Sequence, residues 1–425
     1  MAKHVQTDFV VFHGELTGGP LCGLVDGARR ANALDLVERA AGSGAFSSTT
    51  VYTDSDALAK QAAGVAGKVV RTYSHDFHFG KAISDVVSAS SAQRICYFGS
   101  GAGALLSADE IARLASAESD REVVANNLYS TDFCAFTRVE IICDLALPAT
   151  DNGLSRVLVE QGRFSGRETD RRPAAVFDID APLDLSALQL SAAAKGRLPE
   201  YVERHAPTVP HIEAAMHHFT NRDSEVMVAG RVSADTHLYL DRETACRVRF
   251  LAEERGIAAA GAQGARSIVG MWIAHQGPAQ AFGTLKGRTH AAFIDSRLLF
   301  AHEKIEVPME ERFAADLYLA KRLETPYVRA LVQAAGAAPF PVVLGSHSLL
   351  NGGIMLLCEA AWREAGQGAA DVRGLRTAGP KSVPPQCKEA AADDRTPGEQ
   401  VPRPVRGGHA SGPGRGGSKA RRSRD

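Results

Sequence analysis

Short runs of β-branched and aromatic residues alternate with helical patterns from Asp8 to about Leu190. Asp8–His13 (DFVVFH), Ser48–Tyr52, Lys68–Thr72, Arg94–Gly99 (RICYFG), Val123–Asn126, Phe133–Phe136 and Ala175–Ile179 (AVFDI) read as strands. Between the first two lies Arg29–Gly42, where Leu34, Val37 and Ala41 recur at helical spacing and Gly42 closes the run as a C-cap. Gly80–Ser88 and Ala108–Ala117 read as further helices. The second is introduced by Ser107 with Glu110 three residues on, a capping box. Strands separated by helices of this length predict βαβ crossovers, hence an α/β domain with a mostly parallel sheet and flanking helices.

Beyond Tyr201–Pro210, where Pro207 and Pro210 stand among polar residues, the pattern changes. Glu225–Val232 and Ala292–Ile294 read as strands, and Thr236–Arg255, Glu310–Leu323 and Tyr327–Ala335 as helices. Pro341–Trp362 reads as an extended segment, a Gly and Ser loop, then a buried helix. A helix-rich α+β second domain is expected. After about Glu364, Gly, Pro, Ser and charge replace apolar periodicity, so the segment cannot bury enough surface to offset its ordering entropy, and disorder is predicted. The expected division is 1–200, 201–365 and 366–425.

Length and charge narrow the function classes. A chain of 425 residues allows two to three domains. Lys plus Arg number 48 against 49 for Asp plus Glu, so the formal charge of -1 gives no global footprint for nucleic acid or an anionic membrane. The tail is the exception: from Val401 onward it carries seven Arg or Lys and one acid, Asp425. It reads as a basic arm on RNA or DNA, as a solvated tail, or as the product of a shifted reading frame. No apolar run approaches the roughly 18 residues that cross a bilayer. The amino terminus also lacks the apolar core of a secretory signal, so a cytoplasmic, non-membrane protein is expected. Seven cysteines without a CxxC pair predict reduced, mostly buried thiols and no structural zinc.

In open α/β sheets ligands bind beyond the carboxyl ends of strands, and four such places carry polar or Gly-rich sequence. After the first strand, Gly18, Gly19, Gly23 and Gly27 would let backbone N–H groups approach a phosphate, with Arg29 and Arg30 adding charge. An ordinary βα turn is the alternative. After the fourth strand, Gly99–Ser107 offers backbone donors but no carboxylate or base. Asn126, Asn127, Ser130 and Asp132 either read a sugar or base edge or serve local turn chemistry. In the last place, Asp178 and Asp180 alternate at period two, so both point to one face of a strand and Ile179 to the other. Paired carboxylates repel unless a cation bridges them, and hard oxygen donors suit Mg2+. Pro182 opens a helix there, with Asp184 near its positive end in a structural role.

Other groups weigh less. His75-Asp76-Phe77-His78-Phe79-Gly80-Lys81 puts Lys81 within reach of a triphosphate or forms a partly buried aromatic loop. His217 and His218 diverge by about 100° on a helix and do not readily share a metal. Arg247, Arg249, Arg255 and Arg266 form either a basic face for an anionic acceptor or a solvated one. Ser346-His347-Ser348 is not a GxSxG nucleophile elbow.

The segment DIDAPLDL resembles the DIDTPEDL signature of GT-A-type nucleotidyltransferases, a superfamily that includes the molybdenum-cofactor nucleotidylyltransferases and phospholactate guanylyltransferases. The order of features agrees over residues 8–190: a Gly-rich first loop, ALDLVERA, a second strand ending in YTDSD, and YFGSGAGALLSADEIARLA before the acidic segment. The resemblance implies a GT-A/Rossmann-like fold and transfer of a nucleotide from a nucleoside triphosphate to a small phosphorylated or hydroxyl acceptor. It implies Mg2+ on Asp178 and Asp180, phosphates over Gly18–Arg30, and base and sugar contacts from Asp54 or Asn126–Asp132. Two positions depart from the pattern: the first loop lacks its lysine, and Gly101-Ala102-Gly103 stands where a metal-binding Asp is expected. Asp76, Asp132 or Asp151 would have to supply the second carboxylate. Three functions fit the resemblance: an active nucleotidyltransferase, a nucleotide or nucleotide-sugar binding protein without turnover, and a nucleotide-sugar glycosyltransferase. The oligomeric state stays open.

Overall fold

The computed structural model describes residues 3–72, 77–137, 139–191, 196–253 and 266–366. The basic tail, Cys387, His75, Asp76 and Arg255 lie outside the described residues.

The first sheet is built from β1 (Thr7–His13), β2 (Ser48–Thr53), β3 (Lys68–Arg71), β4 (Arg94–Gly99), β5 (Glu122–Ala125), β6 (Phe133–Thr137) and β7 (Ser165–Glu168), in the order β3-β2-β1-β4-β6-β5-β7. β6 runs antiparallel to both neighbours, and the other pairings are parallel. Helices cover both faces, so successive residues of one strand enter different cores. Phe9 and Val11 of β1 pack with Leu36 and Phe98, whereas Val10 and Phe12 pack with Phe79 and Tyr97. This two-sided burial is why the strands read as continuous apolar runs.

The second part is helix-rich, as expected, and its strands form a parallel sheet. β8 (Glu225–Gly230), β9 (Arg247–Ala252), β10 (Ala291–Asp295) and β11 (Val342–Gly345) lie in the order β9-β8-β10-β11. Both sheets belong to one compact unit. Among the described residues no helix is long and apolar enough to cross a membrane. Cys22, Cys96, Cys134 and Cys358 are buried free thiols, whereas Cys143 is exposed.

Several elements differ from the sequence expectation. Ala175–Ile179 is not a strand: Pro173 starts a single helical turn, Pro173–Val176, and only an antiparallel bridge between Ala102 and Asp178 follows. The seventh strand is the polar segment Ser165–Glu168, mostly exposed and so invisible to an apolar pattern. Thr236–Arg255 divides into a helix, Ala234–Glu243, and edge strand β9, whose Arg247 and Arg249 point outward and pair with Glu225 at 3.1 and 3.2 Å. These two arginines therefore form no helical basic face. The first helix, α1, spans Pro20–Ser43, starting earlier than its apolar spacing suggests, and ends on Gly44 in the left-handed conformation (φ 65°) rather than on Gly42. The Ser107/Glu110 capping box is present.

Candidate functional site

The order of the first sheet reverses between β1 and β4, and such a switch point opens a crevice at the carboxyl ends of the strands. There His13, the last residue of β1, shares a hydrogen bond with Ser100 beyond β4 (Nδ1 to Oγ 3.0 Å), and its Nε2 lies 3.3 Å from Asp26 of α1. Asp26 also accepts the Leu16 N–H at 2.9 Å and pairs with Arg30 at 2.9 Å. Burial pulls His13 below its ordinary value, against its hydrogen bond to Asp26. Burial alone would raise Asp26, but the bonds from His13 and the Leu16 amide hold it below the usual carboxylate range. Because Ser100 is fully buried, this Ser–His–Asp line ties strand ends to α1 rather than presenting a nucleophile. Sequence reasoning passed over it, since residues 13, 26 and 100 meet only through the sheet.

Three histidines set an acid limit on stability. Burial lowers His211 and His218 as well as His13, His218 also feeling His290 and His217. The folded values lie below the unfolded one, so the unfolded chain binds more protons between them. Their contribution is complete above the ordinary histidine value of about 6.5 and is lost as pH falls below it. Urea unfolding should give a lower free energy at pH 5.5 than at pH 7.5, and His13→Gln should reduce that difference. An unchanged pH dependence in His13→Gln would remove His13 from the account.

The Gly-rich first loop is shorter than expected. Gly18 and Gly19 precede α1, but Gly23 and Gly27 lie inside it, and Gly27 is where the Tyr201 ring packs. The first turn of α1 holds an internal carboxylate: Glu310 accepts the Leu21 N–H at 3.1 and 3.0 Å and the Cys22 N–H at 3.0 Å. Arg30 is committed to Asp26. Arg29 differs, since it has no hydrogen bond or ion pair among the described residues and its Nε is buried without a partner. Its charge nonetheless reaches His13, Asp151 and Asp178.

The acidic segment closes the crevice. Asp178 and Asp180 are half-buried while Phe177 and Ile179 are buried, so the period-two alternation persists without a strand. Burial first, then the carboxylates of Asp180 and Asp132, push Asp178 well above the usual range, with Arg29 opposing. Asp178 is set against the β4 turn through its bridge to Ala102, and Asp180 alternates to the same side. Asp178 also explains Gly101: a Cβ there would strike the Asp178 carboxylate and lie 3.0 Å from the Ile179 carbonyl, so the β4 turn has no space for a second acid. The turn itself is clamped by α1, with Asn32 donating to the Ser100 and Ala102 carbonyls at 2.8 and 2.9 Å.

The remaining candidates divide. Asn126 holds Asp132 through its amide (2.6 Å) and accepts the Asp132 N–H at 2.9 Å, and Asn127 accepts the Tyr129 and Ser130 N–H groups. Both asparagines thus do turn chemistry, and Asp132 is the member of this loop whose charge reaches Asp178. Asp54 accepts the Glu15 N–H at 2.8 Å and fixes the first loop. Asp151 accepts from Tyr97 at 2.8 Å, and burial raises it. Lys81 is exposed on the helix Phe79–Ser88.

The second sheet contributes from the loop after β11. Ser348 donates to Asp184 (2.8 Å), His347 Nε2 lies 3.8 Å from Asp180, and Ser346 meets Ser348 at 2.6 Å. Asp184 caps its own helix by accepting the Asp180 and Ala181 N–H groups at 2.9 and 2.8 Å. Burial, then Asp180, push it up to about 8.

No family model matches the chain, and neither does any curated protein. Among solved structures, similar ones include a nucleotidyl transferase from Methanothermobacter thermautotroptrophicus (17% identity, 47% of this chain and 98% of that one, TM-score 0.33). A cytidylyltransferase from Leptospira borgpetersenii serovar Hardjo-bovis shares 14% identity over 48% of this chain and 99% of that one, with a TM-score of 0.35. A mannosyltransferase from Pyrobaculum calidifontis, in complex with GDP-Man and Mn2+, shares 10% identity over 48% of this chain and 70% of that one, with a TM-score of 0.25. With TM-scores below 0.5, these likenesses decide nothing about the chemistry.

Proposed function

We propose that the chain is a cytoplasmic, Mg2+-dependent nucleotidyltransferase that passes a nucleoside monophosphate from a nucleoside triphosphate to a small phosphorylated or hydroxyl acceptor. The observation that carries this reading is Asp178 set against the β4 turn at the switch point of β1 and β4, with Asp180 alternating to the same side and the charge of Arg29, whose Nε is unpartnered, acting on Asp178. Among the described residues no group of three or more His, Cys, Asp or Glu is arranged for a metal. Two carboxylates fit Mg2+ that arrives with the substrate phosphates and completes its shell from them and from water. Asp178 and Asp180 would hold it, and when bound it neutralises charge on the phosphates.

In this reading Arg29 takes a phosphate oxygen of the triphosphate by charge-assisted hydrogen bonds. An acceptor oxygen bonds to the α-phosphorus, the bond from that phosphorus to the bridging oxygen breaks, pyrophosphate leaves, and the acceptor proton passes to solvent. The resemblance of DIDAPLDL to the nucleotidyltransferase signature supports the same assignment. Gly101 favours a second reading, nucleotide binding without turnover, because Asp178 fills the space a second β4-turn carboxylate would need. Pyrophosphate release with each of ATP, GTP, CTP and UTP in Mg2+, over a panel of sugar phosphates and phosphorylated hydroxy acids, separates the two. Release with one nucleotide supports transfer, and binding with no release supports the second reading.

A further inference from the structure

We propose that Glu310 is an internal anion that competes with ligand phosphate for the first turn of α1, so that filling the first loop requires the helix Met309–Asp316 to release it. The proposal rests on the nucleotide reading above and adds a control on the same site.

Three observations carry it. The first is the contact itself. A helix of 24 residues presents unpaired N–H groups and a positive dipole end at its first turn, and here the Leu21 and Cys22 N–H groups are taken by one carboxylate 289 residues away in sequence. The second is the fit of the loop to that carboxylate. A Cβ on Gly19 would lie 2.5 Å from the Glu310 carboxyl carbon and 2.7 Å from Oε2. The glycine that would let a phosphate approach therefore admits Glu310 instead.

The third is an excess of positive charge around a single carboxylate. Arg322 lies 3.8 Å from Glu310 Oε1. Two residues beyond Glu310, half-buried Arg312 has no hydrogen bond or ion pair through its side chain among the described residues, and its Nε is buried without a partner. Arg312 feels the charges of Arg297 and Asp316 and, after them, that of the Cys22 thiol of α1. The α1 first turn and Arg322 thus share the one Glu310 carboxylate, and Arg312, two residues on, keeps a buried Nε without a partner, whereas a polyphosphate would supply several oxygens. Glu311 does not share this role, because it caps Glu324 and Thr325 at 2.9 and 2.6 Å.

A ligand that must displace Glu310 binds with an apparent affinity reduced by the closed fraction. Removing the charge weakens the competitor and leaves Arg312, Arg322 and the helix dipole in place. Glu310→Gln should therefore tighten binding of inorganic tripolyphosphate, and of the cognate nucleotide with Mg2+, by about tenfold, the scale of a hydrogen bond to a charged group. Glu310→Ala should do at least as much.

Calorimetric titration of the full-length protein and both variants with tripolyphosphate and with each nucleotide tests this, with unfolding midpoints as the check on folding. Tightening in both folded variants supports the proposal. Unchanged or weaker binding in the folded variants shows Glu310 to be a permanent brace and overturns it, while nucleotide binding by the wild type leaves the nucleotide reading standing. Tightening for tripolyphosphate without any nucleotide binding keeps the competitor and removes the nucleotide reading. Binding of neither probe by any form overturns both.

Discussion

Asp178→Asn is expected to lower Mg2+-dependent pyrophosphate release by about 10²- to 10³-fold, the scale of losing one electrostatic contact to developing charge, without unfolding the protein. Asparagine preserves the shape of the side chain but removes the charge that would bind the cation. Without metal the same change relieves the opposition of Asp178 to Asp180 and Asp132 in a poorly solvated place. The metal-free unfolding midpoint should therefore stay level or rise, whereas the rise caused by nucleotide and Mg2+ should shrink. Such a trade of stability for function marks a working site rather than a packing residue. Release that persists at the wild-type rate would remove Asp178 from the metal site.

The second large effect concerns stability alone. Glu122→Leu is expected to cost about 3–5 kcal/mol, because it strands a buried cation. Arg94 opens β4 fully buried and donates to the Leu114 carbonyl at 2.8 Å and to Glu122 at 3.1 Å, and its other terminal nitrogen has no partner. Without Glu122 no carboxylate faces Arg94 among the described residues. Arg94→Leu should cost less, since Glu122 keeps Arg167 at 3.3 Å and the Glu118 N–H at 3.4 Å. The double leucine variant should recover much of the Glu122→Leu loss. A urea-unfolding double-mutant cycle checks this, and additive losses would contradict a coupled pair.

Which parts of this structure could be read in advance follows from where each residue's partners lie. β1, β4 and β6 were legible to within a residue because both faces are almost wholly buried and each carries a central apolar run. β7 was not, since Ser165–Glu168 is polar and mostly exposed, and β9 alternates exposed arginines with Val248 and Phe250 in a pattern that continued the preceding helix. The start of α1 was hidden by Gly23 and Gly27, and Gly27 is needed because Tyr201 packs on it and donates to the Leu24 carbonyl at 3.0 Å.

The site divides in the same way. Asp178 and Asp180 were visible through local alternation, which survives although the strand does not. Arg29 and Arg30 were equal in sequence, and only Asp26, one turn before Arg30, tells them apart. The His13–Asp26–Ser100 line and the Glu310 contact join segments that only the folded sheets bring together, so no local pattern announces them.

In the proposed function, the crevice at the ends of β1 and β4 takes a nucleoside triphosphate with Mg2+. A thermal-shift panel of ATP, GTP, CTP and UTP on the full-length protein, each with and without Mg2+, tests it most directly, because a ligand that binds only the folded state raises the midpoint by mass action. A rise with one nucleotide is expected, dependent on Mg2+ and reduced in Asp178→Asn. No shift with any nucleotide at millimolar concentration, in the wild type and in Glu310→Gln alike, would contradict it.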